Sequence, residues 1–297
     1  MRSGIFLIDK PAGVTSAGVV GRVKRTLKAE KVGHAGTLDP DATGLLMILV
    51  NGATKVASFA ADGMKRYSGV MQLGVTTSTD DLAGEVLSVN AAVPDFSTIL
   101  NHSKSFVGTI SQVPPRVSAI KVGGKRAHKL VRQGEQFELK ARSVEVYRFD
   151  ISPLDGGKVS YLVECSPGTY VRSLARDLGE ACGCGGAVES IRREASGGFS
   201  LEGSISLEDI SWDRLQNWTQ LLPGLPIVRL SDSRCFDLLN GRQGALREVS
   251  LIEEVAKLPV DSLLAYGCEG RVESLGLLRK TSSGDVVIQV NLERALS

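Results

Sequence analysis

Histidine and cysteine are scarce in this chain of 297 residues, which contains three of the former and five of the latter. The cysteines are odd in number and irregularly spaced, which argues against a disulfide framework and for reduced, mostly buried thiols. Cys182-Gly-Cys184 lacks the two-residue gap of a zinc knuckle, and few histidines are present to complete a metal site. Neither a Gly-x-Gly-x-x-Gly fingerprint nor a phosphate-binding P-loop occurs. The sequence therefore predicts no metal and no nucleotide cofactor.

Long apolar runs are absent as well. The longest, residues 45–50, is far shorter than the roughly 20 residues that cross a bilayer. The apolar run near the N-terminus is too short for the core of a signal peptide, so we expect a cytoplasmic protein. Apolar residues nevertheless make up 42% of the chain and charged residues 23%, which is typical of a globular protein with a substantial core. The length allows one large domain and one small domain.

Charge is distributed unevenly along the chain, although the net charge is only +2. Residues 1–75 hold ten Lys/Arg against five Asp/Glu, and residues 101–150 hold ten against four. Residues 200–297 are acidic, with ten against fourteen. Two locally basic stretches of this kind can bind a polyanion such as RNA, but solvated helix faces account for them equally well.

Strand and helix patterns alternate without a strict βαβ rhythm, which favours an α+β fold with a mixed sheet. A helix is expected from Thr15 or Ser16 to about residue 28, and Asn51 is expected to cap a short helix over 53–61. Glycine and proline predict a loop over 33–40 and a linker over 221–226. The linker divides the chain into domains at 1–225 and 226–297, the second small and β-rich. Strands are predicted over 4–8, 45–50, 67–74, 144–151, 159–165, 227–230, 276–279 and 286–290, and further helices over 97–106, 170–181 and 232–240.

The loop over residues 33–40, GHAGTLDP, carries the strongest chemical signal. Two glycines let the backbone approach a ligand closely, and Pro40 biases Asp39 away from helical dihedrals. An aspartate held on such a loop suits a positioned nucleophile or base. The alternative is an Asx turn, in which the Asp39 carboxylate only accepts hydrogen bonds from nearby backbone.

The longer stretch GHAGTLDPDATGLL resembles the signature loop of the TruB family of pseudouridine synthases, bacterial enzymes that act on the T arm of tRNA. Four other segments resemble motifs of that family in the same order, within roughly the first 210 residues. The resemblance implies a pseudouridine synthase fold with a mixed sheet flanked by helices, followed by a small β-rich PUA-like domain. It also implies a cofactor-independent isomerisation of uridine 55 in the T loop of tRNA. The four segments are LIDKPAGVTS at 7–16, KRYSGVMQLG at 65–74, PPRVSAIKVGGKRAHKLVRQGE at 114–135 and CSPGTYVRSLARDLGEACGCGGAVESIRREASGGF at 165–199.

The resemblance also implies roles for single residues. Asp39 matches the catalytic aspartate, which would attack either the base or the anomeric carbon of the ribose; the sequence leaves both open. Tyr67 matches the tyrosine that stacks on the flipped-out uracil, and Arg172 matches the arginine that pairs with the carboxylate. An adjacent Arg172 would favour the ionised carboxylate and offset its desolvation. Alone, Tyr67 on an alternating strand is more typical of core or cross-strand packing, and Arg172 could form a surface ion pair with a nearby acid.

Three further residues fall at positions of the active site by the same resemblance. His34 matches a histidine that helps to prise the target nucleotide from its loop, although a histidine bonded to its own loop is the simpler interpretation. Tyr170 is expected near the active site, and Ile191 matches an apolar residue of the pocket. A basic hairpin around Gly123-Gly124 would grip RNA phosphates, or else form a solvated face. Its predicted RNA-binding residues are Lys121, Lys125, Arg126, Lys129 and Arg132.

Several positions depart from the family pattern. Val117 and His128 stand where tyrosines are common, and Thr77-Ser78-Thr79 replaces a Thr-Asp-Thr triplet, whereas Asp81 is retained. These changes affect details of RNA contact and not the matched catalytic set. Two rival hypotheses are a non-catalytic tRNA-binding chaperone and a synthase that acts on another RNA. We expect a monomer that needs no protein partner.

Overall fold

The computed structural model of the chain describes residues 2–90, 92–118, 120–240, 242–250, 252–269 and 274–292. The strands are β1 (Gly4–Lys10), β2 (Val32–Ala35), β3 (Thr43–Val50), β4 (Lys65–Leu73), β5 (Val75–Thr77), β6 (Val86–Val89), β7 (Gly108–Gln112), β8 (Lys121–Val122), β9 (Lys125–Arg126), β10 (Arg142–Pro153), β11 (Lys158–Cys165), β12 (Gly186–Ser196), β13 (Phe199–Ser200), β14 (Ile227–Leu230), β15 (Leu263–Cys268), β16 (Gly276–Lys280) and β17 (Val286–Asn291). The α-helices are α1 (Ser16–Leu27), α2 (Ala57–Ala61), α3 (Phe96–Lys104), α4 (Ala127–Arg132), α5 (Val171–Ala181), α6 (Asp232–Leu239), α7 (Gln243–Ser250) and α8 (Glu253–Ala256). Short 3₁₀ helices span Asn51–Val56, Trp212–Arg214 and Trp218–Leu221.

Nine of the described strands form one large sheet in the order β1-β3-β12-β4-β11-β10-β7, with β2 paired to β3 and β13 to β12. The pairing of β3 with β12 is parallel, and the neighbouring pairs β1–β3 and β12–β4 are antiparallel. Helices interrupt the strands along the chain and pack on the sheet. The expected α+β fold with a mixed sheet is confirmed.

Strand β3 is buried on both faces of the sheet, because its alternate residues pack in two different cores. Its even-numbered residues, such as Leu46 and Ile48, pack in a core that includes α1, α3 and α5. Its odd-numbered residues, such as Leu45 and Met47, pack in a second core with α2, Trp218 and parts of the C-terminal strands. A strand buried on both faces needs a continuous apolar run, and each fully buried Leu or Ile contributes about 1.5–3 kcal/mol.

Helix α1 begins where the polar caps predict. The Thr15 side chain accepts a hydrogen bond from the Gly18 N–H at 2.9 Å, and Lys28 ends the helix in the left-handed conformation. Val19, Val23 and Leu27, four residues apart, form its buried face. This spacing sets α1 against the sheet, with Ser16 at the inner edge of its first turn.

The C-terminal strands form a separate four-stranded sheet, β14-β15-β16-β17, which packs with α6, α7 and α8 around a third core. This sheet joins the rest of the molecule through the second core. The Trp218 indole N–H donates to the Ser274 carbonyl oxygen at 3.1 Å across that junction. No helix in the described residues is long and apolar enough to cross a membrane.

Three local expectations were wrong. Residues 33–35 of the predicted loop belong to strand β2, because they pair with β3, with His34 opposite Ile48. Asn51 does not cap a helix: it has a φ of +51°, and its side-chain oxygen accepts hydrogen bonds from the N–H groups of Glu30 and Lys31. Strand β12 was missed, because bulges at 188/190 and 193/195 break its alternation.

Candidate active site

The loop that carries Asp39 is anchored to helix α1 by one serine. The Leu38 N–H donates to the Ser16 hydroxyl oxygen at 2.9 Å, and the Ser16 hydroxyl donates to the Leu38 carbonyl oxygen at 3.0 Å. Both residues are buried. Gly36, with a φ of +78°, turns the chain out of β2 into this anchored segment. Both backbone polar groups of Leu38 are therefore hydrogen-bonded to Ser16, which fixes the backbone next to Asp39.

A buried lysine holds the other side of the same loop. The Lys10 ammonium donates to the carbonyl oxygens of Pro11, Val14 and Pro40 at 2.7–2.8 Å, and its side chain is fully buried. Burial lowers the pKa of Lys10, and the carboxylates of Asp41 and Asp39 oppose that shift. In the sequence, Lys10 is marked only as a charged residue at the end of an apolar strand.

Arg172 brings together three segments that are far apart in the chain. Its Nη2 lies 2.9 Å from Asp39 Oδ2, and its Nη1 lies 3.4 Å from Asp81 Oδ2. The same two nitrogens donate to the carbonyl oxygens of Val117 and Thr79, each at 2.9 Å. The Arg172 side chain is only 5% exposed, whereas that of Asp39 is 43% exposed. The alternative of a surface ion pair is wrong, since Arg172 is a buried residue of the site.

A cavity of about 350 Å³ lies beside the Asp39–Arg172 pair. Tyr67, Tyr170 and Ile191 line it together with both members of the pair. Burial is the main cause that raises the pKa of Tyr67 and of Tyr170, so both phenols stay protonated near neutral pH. The cavity is large enough for one flipped base and presents aromatic, aliphatic and carboxylate groups to it.

Tyr170 is positioned by a clamp on its backbone. The buried Gln112 side chain accepts from the Tyr170 N–H at 2.8 Å and donates to the Tyr170 carbonyl oxygen at 3.1 Å. Because Tyr170 immediately precedes helix α5, the clamp also fixes the start of the helix that carries Arg172. Gln112 was not identified from the sequence, since nothing local marks a glutamine as a clamp.

Arg193 is a second buried arginine that the sequence analysis did not assign. Its side chain lies in the cavity wall, and it is 1% exposed. Nε donates to the Leu45 carbonyl oxygen at 2.7 Å and Nη2 to the Gly36 carbonyl oxygen at 3.1 Å. Arg193 therefore links β12 to β3 and to the base of the Asp39 loop. Its hydrogen-bonding partners are distant in sequence, so only the missed strand β12 could have indicated it.

Some of the expected site residues are not found in the cavity wall. His34 is half-buried on β2 and is not among the residues that line the cavity. Strands β8 and β9 do form the expected hairpin around Gly123-Gly124. In it Lys125 is exposed and lies 3.0 Å from Glu135. The side chains of the other expected RNA-binding residues, Lys121, Arg126, Lys129 and Arg132, lie outside the described part of the structure.

Comparison with known proteins gives consistent matches over most of the chain. The TruB family pseudouridylate synthase N-terminal domain matches residues 24–171, and the tRNA pseudouridylate synthase B C-terminal domain matches residues 172–220. The tRNA pseudouridine synthase B of Cereibacter sphaeroides is 47% identical over 221 residues, which are 74% of this chain and 73% of that protein. The tRNA pseudouridine synthase B of Clostridium kluyveri is 40% identical over 271 residues, 90% of this chain and 92% of the relative.

A solved structure of similar fold is a Cbf5–Nop10–Gar1 complex, with a TM-score of 0.67. The aligned region covers 98% of this chain and 85% of that chain at 24% identity, so this likeness concerns the fold alone. The family assignment rests instead on the family models and on the sequence relatives, which are 47% and 40% identical over most of their own length. By these matches, the chain belongs to the TruB family of pseudouridylate synthases.

Proposed function

We propose that this chain converts a uridine of tRNA into pseudouridine, and that the target is uridine 55 in the T loop. The observation that carries the proposal is the carboxylate of Asp39, which Arg172 holds at 2.9 Å on the wall of a cavity that also contains Tyr67. The second support is the similarity to relatives named tRNA pseudouridine synthase B. The position of the target nucleotide, uridine 55, is inferred from the resemblance of the sequence motifs to those of the family.

The geometry suits a rearrangement within one nucleotide. A base must leave its stack before chemistry can reach it, which costs a few kcal/mol, and stacking on an aromatic ring such as Tyr67 returns about 1–3 kcal/mol. The half-exposed Asp39 carboxylate then faces either the ribose C1′ or the uracil ring, and we leave both modes of attack open. The C1′–N1 bond breaks and a C1′–C5 bond forms. C5 loses its proton and N1 gains one, so atoms and electrons balance without a further reactant.

Contacts to the rest of the tRNA are part of the same proposal. The β8–β9 hairpin, with Lys125 exposed next to its turn, would contact backbone phosphates of the T arm, and His34 would help to open the loop. We also propose that residues 1–225 act as the catalytic domain and residues 226–297 as a PUA-like RNA-binding domain. The separate core around β14–β17 supports that division. We further propose a cytoplasmic monomer that works without a protein partner.

The test is pseudouridine formation on a T-arm stem-loop by the wild type, Asp39→Asn and Asp41→Asn. Asp41 is a matched control, since it lies in the same loop, is exposed and forms no ion pair with Arg172 in the described contacts. We expect product at the T-loop uridine from the wild type and from Asp41→Asn, and none from Asp39→Asn. Binding of the RNA without product from the wild type would favour the chaperone hypothesis. Product elsewhere in the RNA would reject the T-loop assignment.

A further inference from the structure

Among the side chains that the structure describes, three lysines are buried, and one of them has fewer hydrogen-bond acceptors than the other two. The ammonium groups of Lys10 and Lys280 each donate to three backbone carbonyl oxygens, which matches the three hydrogens that an ammonium carries. Lys65 is 8% exposed, the same fraction as Lys280. Among the described residues its ammonium has one acceptor, the Ala61 carbonyl oxygen at 2.9 Å. Lys65 thus retains donor capacity that the other two have used.

Lys65 and Arg193 lie in the wall of the same cavity as Tyr67. Arg193 donates to two backbone carbonyl oxygens, and its positive charge opposes the rise that burial causes in the pKa of Tyr67. Within the described residues, neither Lys65 nor Arg193 has a carboxylate at ion-pair distance. Burial, followed by the positive charge of Arg193, lowers the pKa of Lys65, and Cys165 and the Asp62 carboxylate oppose that shift with smaller effects. The wall of the cavity therefore holds two neighbouring cations without an ion-pair partner among the described residues.

Such an arrangement is costly in the empty protein. A buried charge without a counter-charge is strongly disfavoured, and two buried cations also repel each other. The cost is recovered when negative charge enters the cavity, because electrostatic attraction is strong where water is excluded. The pair Lys65–Arg193 is thus suited to an anion that is present only while the cavity is occupied.

The proposed reaction generates such an anion. Whichever atom Asp39 attacks, negative charge accumulates on the uracil carbonyl oxygens before the C1′–C5 bond forms; on attack at C1′, the electron pair of the broken C1′–N1 bond stays with the ring. We propose that Lys65 and Arg193 form an anion site that stabilises the negatively charged uracil ring during its rearrangement. This proposal rests on the proposed function. A backbone phosphate is the other source of negative charge, but the ring of Tyr67 in the same cavity favours a planar base.

The first experiment compares single-turnover rates on the stem-loop at saturating enzyme for the wild type, Lys65→Met, Lys65→Arg and Lys280→Met. Lys280→Met controls for the loss of an equally buried lysine outside the cavity. We expect Lys65→Met to react about a hundredfold more slowly, as when one oxyanion donor is lost, and Lys65→Arg to recover much of the rate. Lys280→Met should lower the melting temperature but keep the rate within about twofold. Equal rates for Lys65→Met and Lys280→Met would overturn the proposal, whereas an inactive wild type would reject the proposed function instead.

A second experiment separates charge stabilisation from a merely structural role. Fluorine at C5 withdraws electrons and stabilises a uracil anion, so the deficit of Lys65→Met should be at least about tenfold smaller on 5-fluorouridine RNA, scored as consumption of the fluorinated nucleoside. An equal deficit on both substrates would refute the assignment to the base. A methylphosphonate at the target linkage removes the phosphate charge. If that substitution slows the wild type and abolishes the difference between it and Lys65→Met, the anion is the phosphate. Should Lys65→Met not fold, Arg193→Lys, which keeps the charge but alters its geometry, takes its place.

Discussion

Replacing Ser16 by alanine removes the side chain that anchors the Asp39 loop to helix α1. The change leaves the Leu38 N–H and the Leu38 carbonyl oxygen without their shared partner in a buried position. Each unsatisfied buried group costs about 1–3 kcal/mol, so we expect the two groups to lower the free energy of unfolding by about 2–6 kcal/mol. At about 2–4 °C for each kcal/mol, the melting temperature should fall by about 4–24 °C.

The same change should act on catalysis more than on binding. Leu38 precedes Asp39 directly, so a loosened loop lets the carboxylate move from its place 2.9 Å from Arg172. We expect the single-turnover rate to fall about tenfold to a hundredfold with little change in the Kd for the stem-loop, since misplacement of about 1 Å has that effect. Ser103→Ala is the matched control, because Ser103 is equally buried but donates only within its own helix, to Leu100 at 2.9 Å. If Ser16→Ala is as stable and as fast as Ser103→Ala, the reasoning about the anchored loop is wrong.

Three further predictions concern the charge network, alkaline stability and RNA contact. Asp81→Asn removes a carboxylate 3.4 Å from Arg172 Nη1 and should slow product formation about tenfold while RNA binding persists; an unchanged rate in the single-turnover assay would contradict this. Burial raises the pKa of Cys165 from 9.0 to about 11, so the unfolded chain loses that proton first. The stability this thiol contributes is complete below pH 9 and is lost as the pH rises towards 11; urea titrations across that range should show a weaker decline for Cys165→Ala, and parallel curves would argue against it. Lys125→Ala should make the log–log salt dependence of tRNA binding shallower by about 0.7, the value for one phosphate contact in a single strand; an unchanged slope would place Lys125 outside the RNA interface.

The elements that the sequence predicts well are those with a local cause. Helix α1 has a polar cap followed by apolar residues four apart, and strand β3 is an apolar run bounded by polar residues. Both patterns depend only on near neighbours in the chain. Strand β12 was not predicted because its two bulges interrupt the alternation and its exposed residues, Glu189 and Ser190, are adjacent in the chain. Its position between β3 and β4 is set by pairing with distant strands, which no local pattern records.

The sequence alone also indicated the family and the main catalytic candidate, because the motifs around Asp39, Tyr67 and Arg172 are contiguous segments that occur in the same order as in the family. Only the tertiary structure decided how these residues are held. The partners of Lys10, Ser16 and Arg193 are mostly backbone carbonyl and amide groups, which every residue type carries. A sequence therefore cannot mark them as partners. Folding alone brings a lysine on β1, a serine on α1 and an arginine on β12 around one loop.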